Sequence, residues 1–559
     1  MFAKLSEKSM HLVRWILTVS WLFLIASLFY DPISLWLTQP ETNWSPFNIN
    51  KITQFECVKV QGTCLNEEPF GMGAALFWGM IVPAAIFILM IGGHEVWRRI
   101  CPLSFMSQIP RALGLQRYKR VDSKTGKTRY ERIKVHKNSW LGRNHLYLQL
   151  GLFYLGINAR ILFINSERTI LGLFLIGTIL ASILVGYLYE GKSWCQYFCP
   201  MAPVQKIYGE PRGLFNSAAH EGEGQKITQS MCRTIDSQGQ ESSNCVGCKA
   251  TCMDIDAEKG YWANITKPEQ QWLYYAYFGF VIGYFVYYYL YAGNWEYYMS
   301  GVWAHEENQL SNLLNPGFYL FNHPIAIPKL VAAPLTIGSF GLISYWLGKK
   351  LEKRYKAYLF RNNKLVNDEV VRHRMFTLVT FVIFNFFFIF AGRNFVRMLP
   401  VQIQYLFPII IALSSGIWLY KTWPRNPYIY QRENSAVRLR KQLSKLNVNI
   451  PEFLDGRSLN DLDADEVYVL AKILPGFDKQ KRLKAYKGVV KESISEDSFA
   501  IKKDSDVLIQ IRLELEISEA EHQLIVEEVM KQLSAEKAKN AEVIQQEHST
   551  NSKIETLSL

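Results

Sequence analysis

Ile170 to Tyr189 reads ILGLFLIGTILASILVGYLY, and the chain runs on through Glu190-Gly191-Lys192-Ser193-Trp194-Cys195-Gln196-Tyr197-Phe198-Cys199-Pro200. The first part supplies the roughly 20 apolar residues that one helical bilayer crossing needs. The second part sets two thiols and a proline at the end of that crossing. A short turn, Asn165 to Thr169, separates the run from another apolar stretch at about 146 to 164, so the two form a membrane hairpin.

Working outward, further apolar windows fall at about 15 to 37, 71 to 93, 271 to 292, 325 to 347, 375 to 391 and 404 to 421. The expected fold is an all-α polytopic membrane protein of about eight transmembrane helices. The first window is too long for a cleaved signal peptide and lacks a small-residue cleavage site, so it reads as a retained anchor. The 62 Lys and Arg against 49 Asp and Glu leave a net charge of +13. In a soluble protein that surplus would suggest nucleic-acid binding, but here the basic residues flank the spans and report topology. The loop from Arg98 to Lys137 is heavily basic, and Lys349, Lys350, Lys353, Arg354 and Lys356 follow the sixth window. By the positive-inside rule both are cytoplasmic, as are both termini, in a bacterial inner membrane or its equivalent. Arg393 and Arg397, in a short outer loop, run mildly against the rule.

The domain plan that follows is residues 1–93, two spans with an outer loop; 94–145, a basic cytoplasmic loop; 146–190, the hairpin; 191–270, a cytoplasmic cysteine segment; and 271–422, four further spans. Residues 423–544 read as a soluble helical domain and 545–559 as a disordered tail. In the helical domain, Ser518-Glu-Ala-Glu521 is a capping box opening a helix.

Six of the nine cysteines lie between Trp194 and Asp256. Cys245-x-x-Cys248-x-x-x-Cys252 is the later part of the bacterial ferredoxin spacing, which wraps a [4Fe–4S] cube and sends its last thiolate to a second cube. The leading Cys has moved to Cys232, across a polar insertion (Asp236 to Asn244), and Cys195-x-x-x-Cys199-Pro200 repeats the tail of the motif. Cys101-Pro102, after the second span, is half of that tail, with Trp97 where the second copy has Cys195. Cys101, Cys195, Cys199, Cys232, Cys245, Cys248 and Cys252 are thus the candidate ligands for one or two clusters. Structural zinc also takes Cys-x-x-Cys pairs, and a redox dithiol is a further reading. Cys57 and Cys64, in the outer loop, form a candidate disulfide in an oxidising compartment.

Cys195-x-x-x-Cys199-Pro200 directly after a membrane hairpin, followed by a ferredoxin-like cytoplasmic segment, resembles the NapH and NosR type of membrane-bound polyferredoxin over about residues 70 to 260. The resemblance implies electron transfer between a quinone pool and a partner protein on the cytoplasmic side. The departures are the half motif at Cys101-Pro102, a single ferredoxin segment, and Met253 in place of the usual proline after Cys252. The cross-ligation rule suggests one cluster on Cys232, Cys245, Cys248 and Cys199, and another on Cys195, Cys252 and Cys101. The second needs His94, Asp254 or an open corner, or is a three-iron cluster.

Other signals carry blander expectations. Arg98, Arg99, Lys192 and Lys206 would temper an anionic cluster, or would anchor at lipid head groups. His145 and His323 sit near span ends without an evident haem partner, and His305, Glu306 and Glu307 could bind a metal ion but read more simply as a solvated outer loop. Arg160 inside the third span must snorkel or pair, Glu190 being too far away. The aromatic run Tyr274 to Tyr291 reads as a lipid or packing surface. A zinc-stabilised scaffold or regulator and a metal-centre assembly factor remain alternative functions.

Overall fold

The computed structural model describes residues 6–52, 57–65, 68–122, 128–215, 233–235, 241–243, 248–249, 252–254, 256–306, 308–362, 367–445, 457–474, 477–496 and 505–536. Cys232, Cys245, Glu307 and the tail 545–559 lie outside them. The chain divides into two compact units, one of residues 1–219 and 226–425, the other of residues 220–225 and 426–559.

The first unit is built on long helices: α1 (Glu7–Phe29), α2 (Val82–Ile100), α3 (Trp140–Ala159), α4 (Arg168–Leu188), α5 (Tyr277–Ala292), α6 (Lys329–Arg361), α7 (Asp368–Phe390) and α8 (Val401–Thr422). Among the described residues, seven helical stretches are long and apolar enough to cross a membrane: Lys8–Phe29, Gly73–Met106, Trp140–Ile164, Arg168–Leu188, Lys329–Arg361, Asp368–Phe390 and Val401–Thr422. The first span begins and ends earlier than the expected 15 to 37. Asp31 accepts from the Ser34 N–H at 2.8 Å and Pro32 starts a separate short helix, Pro32–Thr38, so the apolar run is broken at Tyr30.

The expected fifth span is helical, as a π-turn (Trp272–Ala276) leading into α5, but it is not among the seven. Its tyrosines lower its apolar character, and all but Tyr289 are buried in protein. Tyr274 stacks on Phe376 with ring centres 4.1 Å apart, and the hydroxyls of Tyr284 and Tyr288 bond at 2.9 Å. Gly279 and Gly283 bring α5 onto α6: a Cβ on Gly279 would stand 2.1 Å from the Phe340 carbonyl oxygen. This small-x-x-x-small contact is a packing face, not a lipid face.

Arg160 neither snorkels nor forms an ion pair. Its guanidinium lies over Trp78, Tyr284 and Trp303 at 4.1, 4.9 and 5.8 Å, and its Nε donates to Asn165 at 2.9 Å. Three ring faces stabilise the cation where no carboxylate is near. Glu190 instead pairs with Arg132 at 3.1 Å and Lys134 at 3.7 Å.

Among the described residues, four antiparallel strand pairs are β1 (Val58–Val60) with β2 (Thr63–Leu65), β3 (Tyr118–Asp122) with β4 (Thr128–Arg132), β5 (Arg233–Ile235) with β6 (Glu241–Ser243), and β7 (Pro316–Leu320) with β8 (His323–Pro328). Cys57 and Cys64 are joined by a disulfide at the first of these, with Cα atoms 5.6 Å apart. His305 does not face solvent as a loop residue would: its ring stacks on Phe70 at 3.7 Å, and Glu306 accepts from the Tyr297 hydroxyl. His323 is exposed on β8.

The second unit is helical: α9 (Pro427–Leu443), α10 (Ala464–Ile473), α11 (Lys479–Glu496), α12 (Ser505–Glu514) and a helix over 519–536. Leu439, Leu443, Val467, Tyr486, Val489 and Val529 form its core. Ser518 and Glu521 close the capping box, the Ser518 N–H donating to Glu521 at 2.8 Å and the Glu521 N–H to Ser518 Oγ at 3.3 Å.

Candidate functional site

The site begins with a break in α2. Gly93 takes φ +61°, ψ −163°, which a residue bearing a Cβ rarely adopts. The break frees carbonyls that a continuous helix would use, and the segment after Gly213 takes them: Leu214 N–H donates to Met90 O at 2.9 Å and Phe215 N–H to Ile91 O at 3.0 Å. Non-helical backbone at membrane depth is tolerated where protein buries it in this way. Below the break, His94, Glu95, Arg98 and Arg99 turn into the protein; each is at most 3 % exposed. Arg98 and Arg99 are therefore helical and buried, not part of a basic loop and not at lipid head groups.

The two Cys-Pro motifs share one backbone. Cys101 ends α2 at φ −61°, ψ 118°, and Cys199 ends a π-turn (Trp194–Phe198) at φ −58°, ψ 120°; Pro102 opens the short helix Pro102–Met106 in the same way that Pro200 follows Cys199. The Cys101 N–H bonds Trp97 O and the Cys199 N–H bonds Trp194 O, both at 2.9 Å. Aligned on those bonds, Trp97 corresponds to Trp194, and the second copy carries one inserted residue. That insertion makes the turn a π-turn, a form common at functional sites, and Cys195 lies within it. The residue after the tryptophan is Arg98 in the first copy and Cys195 in the second, so the first motif has a single thiol.

Arg98 connects the motifs. Its Nη1 donates to both Asp254 oxygens, at 2.9 and 3.0 Å, its Nη2 to the Cys195 carbonyl at 3.3 Å, and its Nε to Gln205 at 3.3 Å. It lies within electrostatic reach of Cys195, Cys199 and Cys252, thiols of both motifs. Gln196 ties them again, its amide nitrogen 3.6 Å from Cys252 Sγ and 3.3 Å from Asp254. The Tyr197 hydroxyl donates to the Cys248 carbonyl at 3.3 Å.

A second buried pair lies alongside: Lys206 and Glu210 at 2.9 Å, with His94 Nε2 at 3.6 Å from Glu210. Lys192 stands 3.8 Å from Asp254. Burial alone would raise both carboxyls, but Arg98 and Lys192 at Asp254, and Lys206 and His94 at Glu210, outweigh it and hold them below the usual range. Burial, and then Cys195 and Cys101, push the Cys199 thiol far above its usual value. Burial, then Asp254 and Cys248, do the same for Cys252. Lys249, 3.0 Å from His145 Nε2, is lowered to about 7, first by burial and then by Lys206. His145 is thus engaged by a lysine and by the Gly142 carbonyl at 3.1 Å, not arranged for haem.

Of the seven expected ligands, Cys101, Cys195 and Cys199 lie within electrostatic reach of one another, and Cys248 and Cys252 form a second such pair. The expected fourth corners are occupied otherwise, His94 by Glu210 and Asp254 by Arg98. Among the described residues, no three of His, Cys, Asp and Glu converge as a site for a metal ion. The donor set itself is soft and thiol-rich, which suits iron–sulfur or zinc and not a hard cation. A cube also spreads its thiolates more widely than a single ion does. Arg98 and Lys192 beside Asp254, and Lys206 beside Glu210, are buried cations close to the thiols, and Glu95 and Arg99 are buried on the same helix as Arg98.

Sequence reasoning missed the Gly93 break and the π-insertion; Gly92-Gly93 inside a span and the unequal Trp-to-Cys spacing were their signals. Compared with known families, curated proteins and solved structures, the chain gives no match in any of the three.

Proposed function

We propose that this chain is an integral-membrane iron–sulfur electron carrier of the type its cysteine motifs resemble. One or two [4Fe–4S] clusters on the cytoplasmic side would relay electrons between a quinone pool and a redox partner protein. The observation that carries the reading is Arg98, which binds the Cys195 carbonyl and Asp254 at once and so joins the Cys-Pro motif to the ferredoxin-like one.

Bound clusters would supply one-electron transfer at low charge penalty. Cys101, Cys195, Cys199, Cys248 and Cys252 are the described residues that would hold them, with Cys232 and Cys245 from outside that set. Arg98, Lys192 and Lys206 favour the reduced, more anionic state, and so raise the potential. Cys195 and Cys199 are buried beside Trp194 and Tyr197, while Cys101, Cys248 and Cys252 are half-buried. Because the ligand is the thiolate, loading metal onto these cysteines would release protons. Both termini lie on the cytoplasmic side in this reading, which follows the basic segments and counts the buried helix α5 as an eighth crossing beside the seven apolar ones.

Metal analysis of anaerobically purified protein tests it. Iron, lowered in both Cys199→Ser and Cys252→Ser, supports the proposal. Zinc in place of iron supports the scaffold reading instead.

A further inference from the structure

Between α1, α2, α3, α4 and α5 lies a cavity of about 240 Å³ that ends at Cys101 and Cys199 and passes Gly156 and Arg160. No Asp or Glu lines it. Four of its walls are tryptophans, Trp21, Trp78, Trp97 and Trp194, and each buries an indole N–H that has no acceptor among the described residues. Buried indoles normally find one. Elsewhere in the same unit they do: Trp262 donates to Glu258 at 3.1 Å, Trp303 to Tyr298 O at 3.0 Å, and Trp418 to Arg212 O at 2.9 Å. The cavity thus gathers four unused donors and one cation, against acceptors limited to the Thr178, Tyr277 and Tyr284 hydroxyls, the two cysteine sulfurs and the Gln205 amide already engaged by Arg98.

Such a lining selects a neutral, apolar molecule that carries hydrogen-bond acceptors. Ile81 and Phe174 on the wall are also exposed on the outside of the bundle, so the cavity is reached sideways from the bilayer. Its size restricts the head group: about 150 Å³ holds benzene, so this cavity takes one substituted ring and not a two-chain phospholipid. We infer that it binds the ring of a quinone-type dicarbonyl lipophile, with carbonyl oxygens accepting from Trp97 and Trp194 at the cysteine end and the tail leaving between Ile81 and Phe174. The inference rests on the electron-carrier reading for the ligand's role, but its occupancy is independent of any cluster.

Gly156 gives a clean test. A Cβ there meets nothing within 4 Å, and leucine is the better helix former, so Gly156→Leu fills the cavity without disturbing the fold. Gly151→Leu, also unobstructed but exposed and away from the cavity, is the control. Full-length protein in nanodiscs is titrated with decyl-benzoquinone, reading tryptophan quenching, and metal content is measured on the same samples. The expected result is saturable quenching in the wild type and in Gly151→Leu, lost in Gly156→Leu, and weakened by about two- to tenfold in Trp97→Phe, the worth of one hydrogen bond. Equal binding by Gly156→Leu, unsaturable quenching, or quenching of the same indoles by brominated phospholipid would overturn it. Zinc-containing protein that still binds the quinone at this cavity would keep this inference and sink the electron-carrier reading; iron-containing protein without saturable binding would do the reverse.

Discussion

The Arg98 guanidinium and the Asp254 carboxylate, 156 residues apart in sequence, are hydrogen-bonded at 2.9 and 3.0 Å and are each only 1 % exposed. Removing Asp254 leaves Arg98 buried without this carboxylate, and removing Arg98 leaves Asp254 to Lys192 at 3.8 Å and Gln196 at 3.3 Å. The cost therefore approaches that of a broken buried pair, about 3–5 kcal/mol, most closely in the first case. Asp254→Asn and Arg98→Met are each expected to lower the unfolding midpoint of the purified protein sharply, whereas the double variant Arg98→Met/Asp254→Leu recovers part of the loss. Additive losses in that cycle would mean that the pair does not couple the two motifs.

Gly93 and Gly213 meet backbone to backbone. A Cβ on Gly93 would stand 2.8 Å from Gly213 N, and one on Gly213 would stand 2.4 Å from Gly93 N. Gly93→Ala or Gly213→Ala should therefore cost more than about 1 kcal/mol and reduce metal retention. Gly151→Ala, with open space at its Cβ, should instead be neutral or slightly stabilising. Thermal unfolding of the three variants checks the contrast.

Cys57 and Cys64 should be recovered as one linked peptide after non-reducing digestion of protein alkylated before purification. Cys64→Ser is expected to loosen the β1–β2 hairpin by roughly 2–4 kcal/mol, the usual worth of a disulfide. Free thiols at both positions in protein from an oxidising compartment would contradict the pairing.

Glu521 titrates low, at about 2, because Lys479 first and then the Ser518 N–H and hydroxyl favour its charged form. A depressed carboxyl contributes stability that is complete above its unfolded value, about 4.3, and is lost as pH falls through the folded one. Protection of the 519–536 helix against hydrogen exchange, corrected for intrinsic rates, should fall from pH 5 toward pH 2, and Glu521→Gln should flatten that fall. A helix equally protected at both pH values would overturn the assignment.

The apolar runs made most spans legible, because length and hydropathy alone decide whether a helix can cross a bilayer. Where the sequence left a choice open, packing decided it. Tyr274 to Tyr291 is apolar in its rings but polar in its hydroxyls, and only burial against α6 and α7 resolves that conflict; Gly279-x-x-x-Gly283 was the visible signal for it. The expected end of the second span at 93 marks a real event, but it is a break within a helix that continues to Ile100. The cysteines showed which chemistry to look for. The cations around them did not announce their burial, since nothing local distinguishes Arg98 in a helix, paired with a distant Asp254, from a positive-inside arginine. The tryptophans lining the cavity were equally silent, because a cavity belongs to five helices at once.

The measurement that tests the central claim most directly is an iron and acid-labile sulfide count on anaerobically purified protein, with electron paramagnetic resonance spectra before and after dithionite. The account predicts about four irons and four sulfides per cluster, about eight of each for a pair, with a reduced-state signal, and a lower iron count in Cys101→Ser if the half motif is a ligand. Stoichiometric zinc with no chromophore, no sulfide and no signal would contradict it.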